Sequence, residues 1–287
     1  VIVTPVASSG PWLETVSVHV TSPPAGTVAG ALFVMPRSAR GPTVTSAGAD
    51  QTGRIAVAGV AQPGTMVGTG IAMRPATSTG TPPAVVSVQA PSGLTAWAQT
   101  INAASTTAVT VGGVGFDAAG DVVVVGTATG SLQVGSTADF ITSPVSQADV
   151  AGVFVAVFDP AGHPLRVTRA TGAQATATVG GAWVGADGRV VVAGSLRGAI
   201  TFPAGPGAQT LRSRSSADGF VATFDAAGAT SWVQRIDAGR SGSLGSIAVN
   251  GLGVDGAGHI AIAATTTGPL VFDPTGAAAS LDVAGAA

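Results

Sequence analysis

The stretch DAAGDVVVVGTATG, residues 117–130, sets an aspartate and a glycine three places apart in front of an unbroken valine run. Its reading decides the fold. If Asp117 serves chemistry, the chain has a reaction centre; if it serves the backbone, the stretch is a turn that feeds a strand. Asp at the first position of a four-residue turn accepts a hydrogen bond from the N–H two residues on, and Gly at the fourth suits the turn's exit. Asp50, Asp159, Asp225 and Asp255 stand in equivalent places, and in Asp159-Pro160-Ala161-Gly162 a proline supplies the φ wanted at the second position. Asp117 is therefore read as a turn residue.

The stretch recurs. DQTGRIAVAGVAQPG from Asp50, GADGRVVVAGSLRG from Gly185 and DGAGHIAIAATTTG from Asp255 align with it, and their turn glycines Gly53, Gly120, Gly188 and Gly258 lie 67 to 70 residues apart. A second motif runs out of phase with the first: VFVAVFDPAGHPLRVTR (153–169), GFVATFDAAGATSWVQR (219–235), VVSVQAPSGLTAWAQ (85–99) and a degenerate VSVHVTSPPAGTVAG (16–30). Fixed-period self-similarity of this length marks a repeat architecture. Each motif holds two short runs of Val, Ile, Ala and Thr joined by a turn, which is the pattern of a β-hairpin. Gly, Pro and β-branched residues interrupt every window long enough for a helix.

The unit is about four strands, with a Pro- and Ser-rich excursion such as Ser136 to Ala151 between its hairpins. A four-stranded antiparallel sheet repeated radially is the blade of a β-propeller. The expected fold is all-β: one propeller domain over residues 1–287, built from four repeats at about 31–98, 99–167, 168–233 and 234–287 plus 1–30. The phase of the two ends predicts closure by pairing of N- and C-terminal strands, and VIVTPV at 1–6 resembles FITSPV at 140–145. A β-solenoid, tandem β-sandwiches or a window from a longer array would give the same periodicity.

Composition narrows the function classes. Charged residues are 9 % of the chain and mean hydropathy is +0.49, yet 42 Gly and 18 Pro break up every apolar stretch, the longest running from Val150 to Phe158. That is far short of the roughly 18 residues of a membrane-spanning helix. Tyr is absent, so the aromatic girdles of a lipid-facing barrel are missing. A net charge of −2, with arginine as the sole strong base, provides no basic field for nucleic acid. The lack of Cys excludes disulfides, zinc–thiolate sites and cysteine nucleophiles.

The motifs resemble the bacterial β-propeller repeats called the SBBP family. DGFVATFDAAGATSW (218–232), GVGFDAAGDVVVVGTATGSL (113–132) and GAITFPAG (198–205) carry the resemblance, which extends over most of the chain beyond about residue 44. It implies a secreted or cell-surface bacterial propeller without catalysis. FDAAGATSW (224–232) is more weakly similar to quinoprotein-like propellers, whose metal–quinone site has no counterpart among these residues. No cofactor is expected.

Glu14 is the sole glutamate, and the carboxylates outside the repeated turns are Glu14, Asp139, Asp149, Asp218, Asp237, Asp273 and Asp282. No spacing among them singles out a glycosidase-like pair. The histidines are His19 in an expected strand and His163 and His259 in turns, neither turn histidine standing at metal-site spacing from a second His or Asp. Two sets of residues suggest a contact surface. Trp97 and Trp232 share one place in the repeat, and Arg169 and Arg235 share another shortly after it, so that an arginine beside an aromatic offers a stacking surface. Arg212 and Arg214 lie in the excursion TLRSRSS and are expected to be exposed. The same tryptophans would serve equally as wedges between blades. The expected function is a protein- or glycan-binding scaffold outside a bacterial cell. Its rivals are a self-associating subunit of a surface layer, appendage or filament, favoured by the low charge, and an enzyme acting on polysaccharide.

Overall fold

The computed structural model describes residues 43–61 and 82–270 apart from 105–108, 137–138, 144–149, 204, 239–244 and 269, together with the backbone of outlying strands. Among the described residues every regular element is a β-strand, and every strand pairing is antiparallel. Glu14, His19, Asp149, Asp273 and Asp282, and the turn expected between residues 20 and 30, lie outside the side chains described.

Three six-stranded sheets carry the fold. In strand order, sheet I runs β4 (Thr43–Ala49), β5 (Ile55–Val60), β8 (Ala84–Gln89), β9 (Thr95–Ala103), β12 (Leu132–Ser136) and β13 (Asp139–Ser143). Sheet II runs β10 (Thr110–Phe116), β11 (Val122–Thr129), β14 (Val150–Phe158), β15 (Pro164–Ala173), β18 (Ala199–Thr201) and β19 (Thr210–Arg212). Sheet III runs β16 (Thr176–Val184), β17 (Val190–Arg197), β20 (Asp218–Phe224), β21 (Thr230–Ala238), β24 (Leu270–Phe272) and β25 (Ser280–Leu281). The hairpin of β22 (Ile247–Val254) and β23 (Ile260–Thr266) begins a fourth sheet; β1 (Ile2–Ala7), β2 (Leu13–His19) and β3 (Ala31–Pro36) form a separate one, and β6 (Met66–Val67) pairs with β7 (Arg74–Pro75).

Four strands per sheet come from the two hairpin motifs, as the pattern predicts. The other two are a departure. The segment after the second glycine of the first motif folds back onto the preceding sheet, so that Leu132, Gln133 and Val134 pair with Ala103, Asn102 and Ile101 across the boundary expected near residue 99. The physical reason lies in the open edge of β9: its unpaired N–H and C=O groups recruit the next extended segment. Strand closure between the chain ends is not formed among the described residues, since β1–β3 pair only with each other and β22–β23 pair only with each other.

The sheets stack face to face. In the valine run, Val122 and Val124 join Ala56, Ala58, Phe154 and Phe158 in the core between sheets I and II, while Val123 and Val125 join Val190, Val192, Phe220 and Phe224 between II and III. Successive side chains of a strand point to opposite faces, and both faces here are covered, which is why the run is unbroken. A third core, with Val191, Ala193, Ile247 and Val249, lies between sheet III and β22–β23. The inner strands β4, β10, β16 and β22 lie side by side across these layers. Each carries a β-bulge at the same place, after Val44, Val111, Val179 and Val249. Close approach there depends on glycine: a Cβ on Gly115 would stand 2.8 Å from Val184, and one on Gly181 would stand 2.7 Å from Leu252.

The turns take the form of a hairpin whose fourth residue is left-handed. Asp117 N–H bonds the Asp121 carbonyl and Gly120 N–H bonds the Asp117 carbonyl, with Gly120 at φ +83°. That conformation is open to glycine and strained for other residues. The aspartate side chain closes the turn: Asp50 accepts from the N–H groups of Thr52 (3.0 Å) and Arg54 (2.8 Å), and Asp159 from those of Ala161 (2.9 Å) and His163 (2.8 Å). The bond four residues on also forms at Asp117, Asp225 and Asp255.

Candidate functional site

The inner turns of the three sheets meet around one concave site. Its lining includes Asp50, Gln51, Thr52 and Arg54 from the first turn, Phe116, Asp117 and Gly120 from the second, and Val184 and Ala186 from the third, enclosing about 520 Å³. Arg54 organises it. Its Nε donates to Asp50 at 2.7 Å, its Nη2 donates to the Gly120 carbonyl at 3.2 Å, and its guanidinium lies 5.0 Å from the centre of the Phe116 ring. Burial acts to raise the Asp50 carboxyl, but hydrogen bonds from Arg54 and Thr52 outweigh it and hold the group below the usual carboxylate range. The site thus presents an anchored cation, a fixed anion, exposed Gln51 and Thr52, and apolar walls.

The residue after each turn glycine is Arg54, Asp121, Arg189 or His259. Arg189 repeats the aromatic contact, 5.5 Å from Trp183. Burial first, then repulsion from Asp117 and Asp159, pushes the Asp121 carboxyl up. The arginine–aromatic pairs thus exist in this fold, but at the turn exits rather than on the outer strands. TGRIAV and DGRVVV carried the signal, an arginine directly after the turn glycine in two copies.

The expected contact residues go elsewhere. Trp97 is buried between sheets: its indole N–H donates to the Pro160 carbonyl at 3.1 Å and its ring lies 5.7 Å from Phe158. Trp232, at the same place in sheet III, is 45 % exposed. Arg169 donates to the carbonyls of Gly130 and Ala128 and is taken up by backbone. A tryptophan and an arginine three residues apart on a strand point to opposite faces, so Trp232 and Arg235 do not stack on one another.

Arg212, Arg214 and Arg235 do come together, around two carboxylates. Arg235 donates to both oxygens of Asp237 and, at 2.8 Å, to the Arg212 carbonyl; the Arg214 guanidinium is 3.8 Å from Asp237. Asp218, fully buried, accepts from the N–H groups of Arg214 (2.7 Å) and Ala238 (3.1 Å) and from the Ser215 hydroxyl. These acids fasten the strand ends of sheet III, and their oxygens are engaged. His163 and His259 are bound to the turn aspartates Asp159 (2.9 Å) and Asp255 (2.7 Å) four residues earlier, a pairing that spacing did not suggest. Among the described residues no three His, Cys, Asp or Glu side chains cluster as metal ligands.

The chain matches no protein-family model and no curated protein at a significant level.

Proposed function

We propose that the chain is a non-catalytic recognition scaffold of propeller type, displayed outside a bacterial cell, that holds a protein or glycan partner in the cleft between its inner turns. The observation that carries this reading is the cleft itself. Turns from three successive sheets, each tied to a rigid strand pair, converge on a space of about 520 Å³ lined by Arg54, Asp117, Gln51 and Thr52 beside Phe116. Loops held by a rigid scaffold are the usual seat of recognition, and a concave site with a few fixed polar groups orients a ligand. The motif resemblance to SBBP-type repeats fits the same reading, as does the stacking of equivalent sheets.

The test is an array of bacterial glycans and a displayed peptide library, each probed with the wild-type chain and with Gln51→Trp, which fills the cleft from an exposed position. Retention at micromolar concentration that Gln51→Trp weakens at least about tenfold supports the proposal. No retained ligand, or ligands held equally by both proteins, overturns it.

A further inference from the structure

Sheet I meets the second-motif turn of sheet II at three points. The Trp97 indole N–H donates to the Pro160 carbonyl, and the Gln99 amide donates at 2.8 Å to that of Gly162. Both bonds join groups that do not titrate. The third contact is of another kind: His163, next along the turn, has its Nε2 4.0 Å from the Oδ2 of Asp139, the first residue of β13. Strand register puts Asp139 there. Ser136 pairs with Asp139 and Val134 with Ile141, so Asp139 shares a face with Ile141, which packs against the core between sheets I and II. The Asp139 Oδ2 is shut off from solvent and accepts no hydrogen bond among the described residues. A buried acceptor of this kind is costly until a donor reaches it.

The protonation state of His163 decides whether that donor exists. Its Nδ1 lies 2.9 Å from the Asp159 Oδ2. Burial acts to raise the Asp159 carboxyl, but hydrogen bonds from the His163 ring and from the His163 and Ala161 N–H groups outweigh it and hold the group below the usual carboxylate range. An ionised carboxylate only accepts, so Nδ1 carries the hydrogen, and in the neutral ring Nε2 is a bare lone pair. Neutral His163 therefore sets acceptor against acceptor across the 4.0 Å gap. Protonation places a charged N–H there, and an approach of about 1 Å then makes a charge-assisted hydrogen bond of ordinary length.

We propose that His163 and Asp139 form a pH-operated clasp, which ties the outermost strand of sheet I to the turn of sheet II while the imidazole is protonated and releases it when the imidazole is neutral. The hydrogen bond to Asp159 and then the Asp159 charge raise His163 above the ordinary histidine value; desolvation opposes the rise and the Asp139 charge adds to it. The contribution of the clasp is accordingly complete below about pH 6.5 and is lost as pH rises through the raised value. The charged groups acting on the ring are Asp159 on its own turn and Asp139 on β13. Next outward, Asp121 on the first-motif turn is repelled by Asp159, and Arg166 on β15 is drawn to Asp225, Asp121 and Asp117 and donates to the Ala226 carbonyl on the turn of sheet III. The strand β9 faces the turn with the uncharged Trp97 and Gln99. Leu94 and Ala229 hold the place of His163 in the turns of sheets I and III, so of these three turns one carries a titratable side chain at that place.

The experiment is nuclear magnetic resonance on the isotope-labelled full chain, with His163→Gln used to assign the ring. Ring-nitrogen shifts are expected to show neutral His163 as the Nδ1–H tautomer. The near-isosteric Asp139→Asn is expected to lower the His163 titration midpoint while the His259 resonances stay in place. Amide exchange in β13, corrected for intrinsic rate, is expected to be about two- to fivefold slower at about pH 5.5 than at about pH 8, and His163→Gln is expected to abolish the difference. A neutral ring protonated on Nε2 overturns the proposal. So does a His163 midpoint that Asp139→Asn leaves in place, or a pH dependence of β13 exchange that is absent in the wild type or survives in His163→Gln. Neither residue lines the cleft between the inner turns, so failure of the cleft to bind a ligand leaves this proposal standing, and the two fail separately.

Discussion

Trp97→Ala and Trp232→Ala remove the same side chain from the same place in two repeats, and the structure predicts very different costs. Trp97 is 8 % exposed, donates to the Pro160 carbonyl at 3.1 Å, and packs against Phe158 at 5.7 Å between ring centres. Truncating a buried aromatic costs about 3–5 kcal/mol, within which the hydrogen bond accounts for about 1 and the ring pair for about 0.5–1.5. About 4 kcal/mol is expected for Trp97→Ala. Trp97→Phe keeps a ring in the wedge and loses the N–H donor, and is expected to cost about 1–2 kcal/mol. Trp232 is 45 % exposed and grips no turn among the described residues, so its truncation should cost under about 1.5 kcal/mol. The assay is urea denaturation followed by far-ultraviolet circular dichroism at about 1 µM protein, dilute enough to suppress self-association. Equal losses for the two alanine variants would refute the stacking of sheet I on the second-motif turn of sheet II.

Gly126→Ala should cost at least about 2 kcal/mol, because its Cβ would run into the Thr110 carbonyl and the Phe154 ring. Gly253→Ala should be neutral within about 0.5 kcal/mol; denaturation of both in parallel checks the pair. Asp218→Ala removes the buried carboxylate that accepts from the Arg214 and Ala238 N–H groups and the Ser215 hydroxyl and that stands 3.8 Å from Arg235, and should cost about 3–5 kcal/mol, read as the fall in urea midpoint. Asp121→Asn tests electrostatics at the turn. A carboxyl whose pKa is raised by folding favours the folded state while it is protonated and loses that advantage as pH rises through the raised value. The asparagine variant should therefore gain on the wild type above that pH and show no gain near pH 3, as measured by thermal melts across pH 3–8.

Local chemistry was legible in the sequence, and long-range pairing was not. An aspartate, a glycine and the residues between them make one turn with no help from the rest of the chain, so Asp50, Asp117 and Asp255 disclosed their role through spacing alone. The unbroken valine run at 122–125 likewise followed from two-sided burial. By contrast, nothing in LQVGS (132–136) shows that it leaves its own repeat to pair with β9, because a five-residue strand carries no label for its partner. The residues of the candidate site were harder still. Trp97 and Trp232 look alike in the sequence, and the difference between a buried wedge and an open surface lies in whether a later hairpin lands on them. Arg54 escaped notice because its partner Phe116 is remote in sequence, on the inner strand of the next sheet.

The backward-folding strands β12–β13, β18–β19 and β24–β25 give the array a direction. Each rim is made from residues that follow the sheet it completes, so shortening the chain from its C-terminal side strips an edge off the last intact layer as well as removing the layer deleted. Shortening from the other side leaves rim strands with nothing to clasp. No cut between repeats is clean, and melting one layer should drag its predecessor along, coupling units that a simple stack would allow to open one at a time.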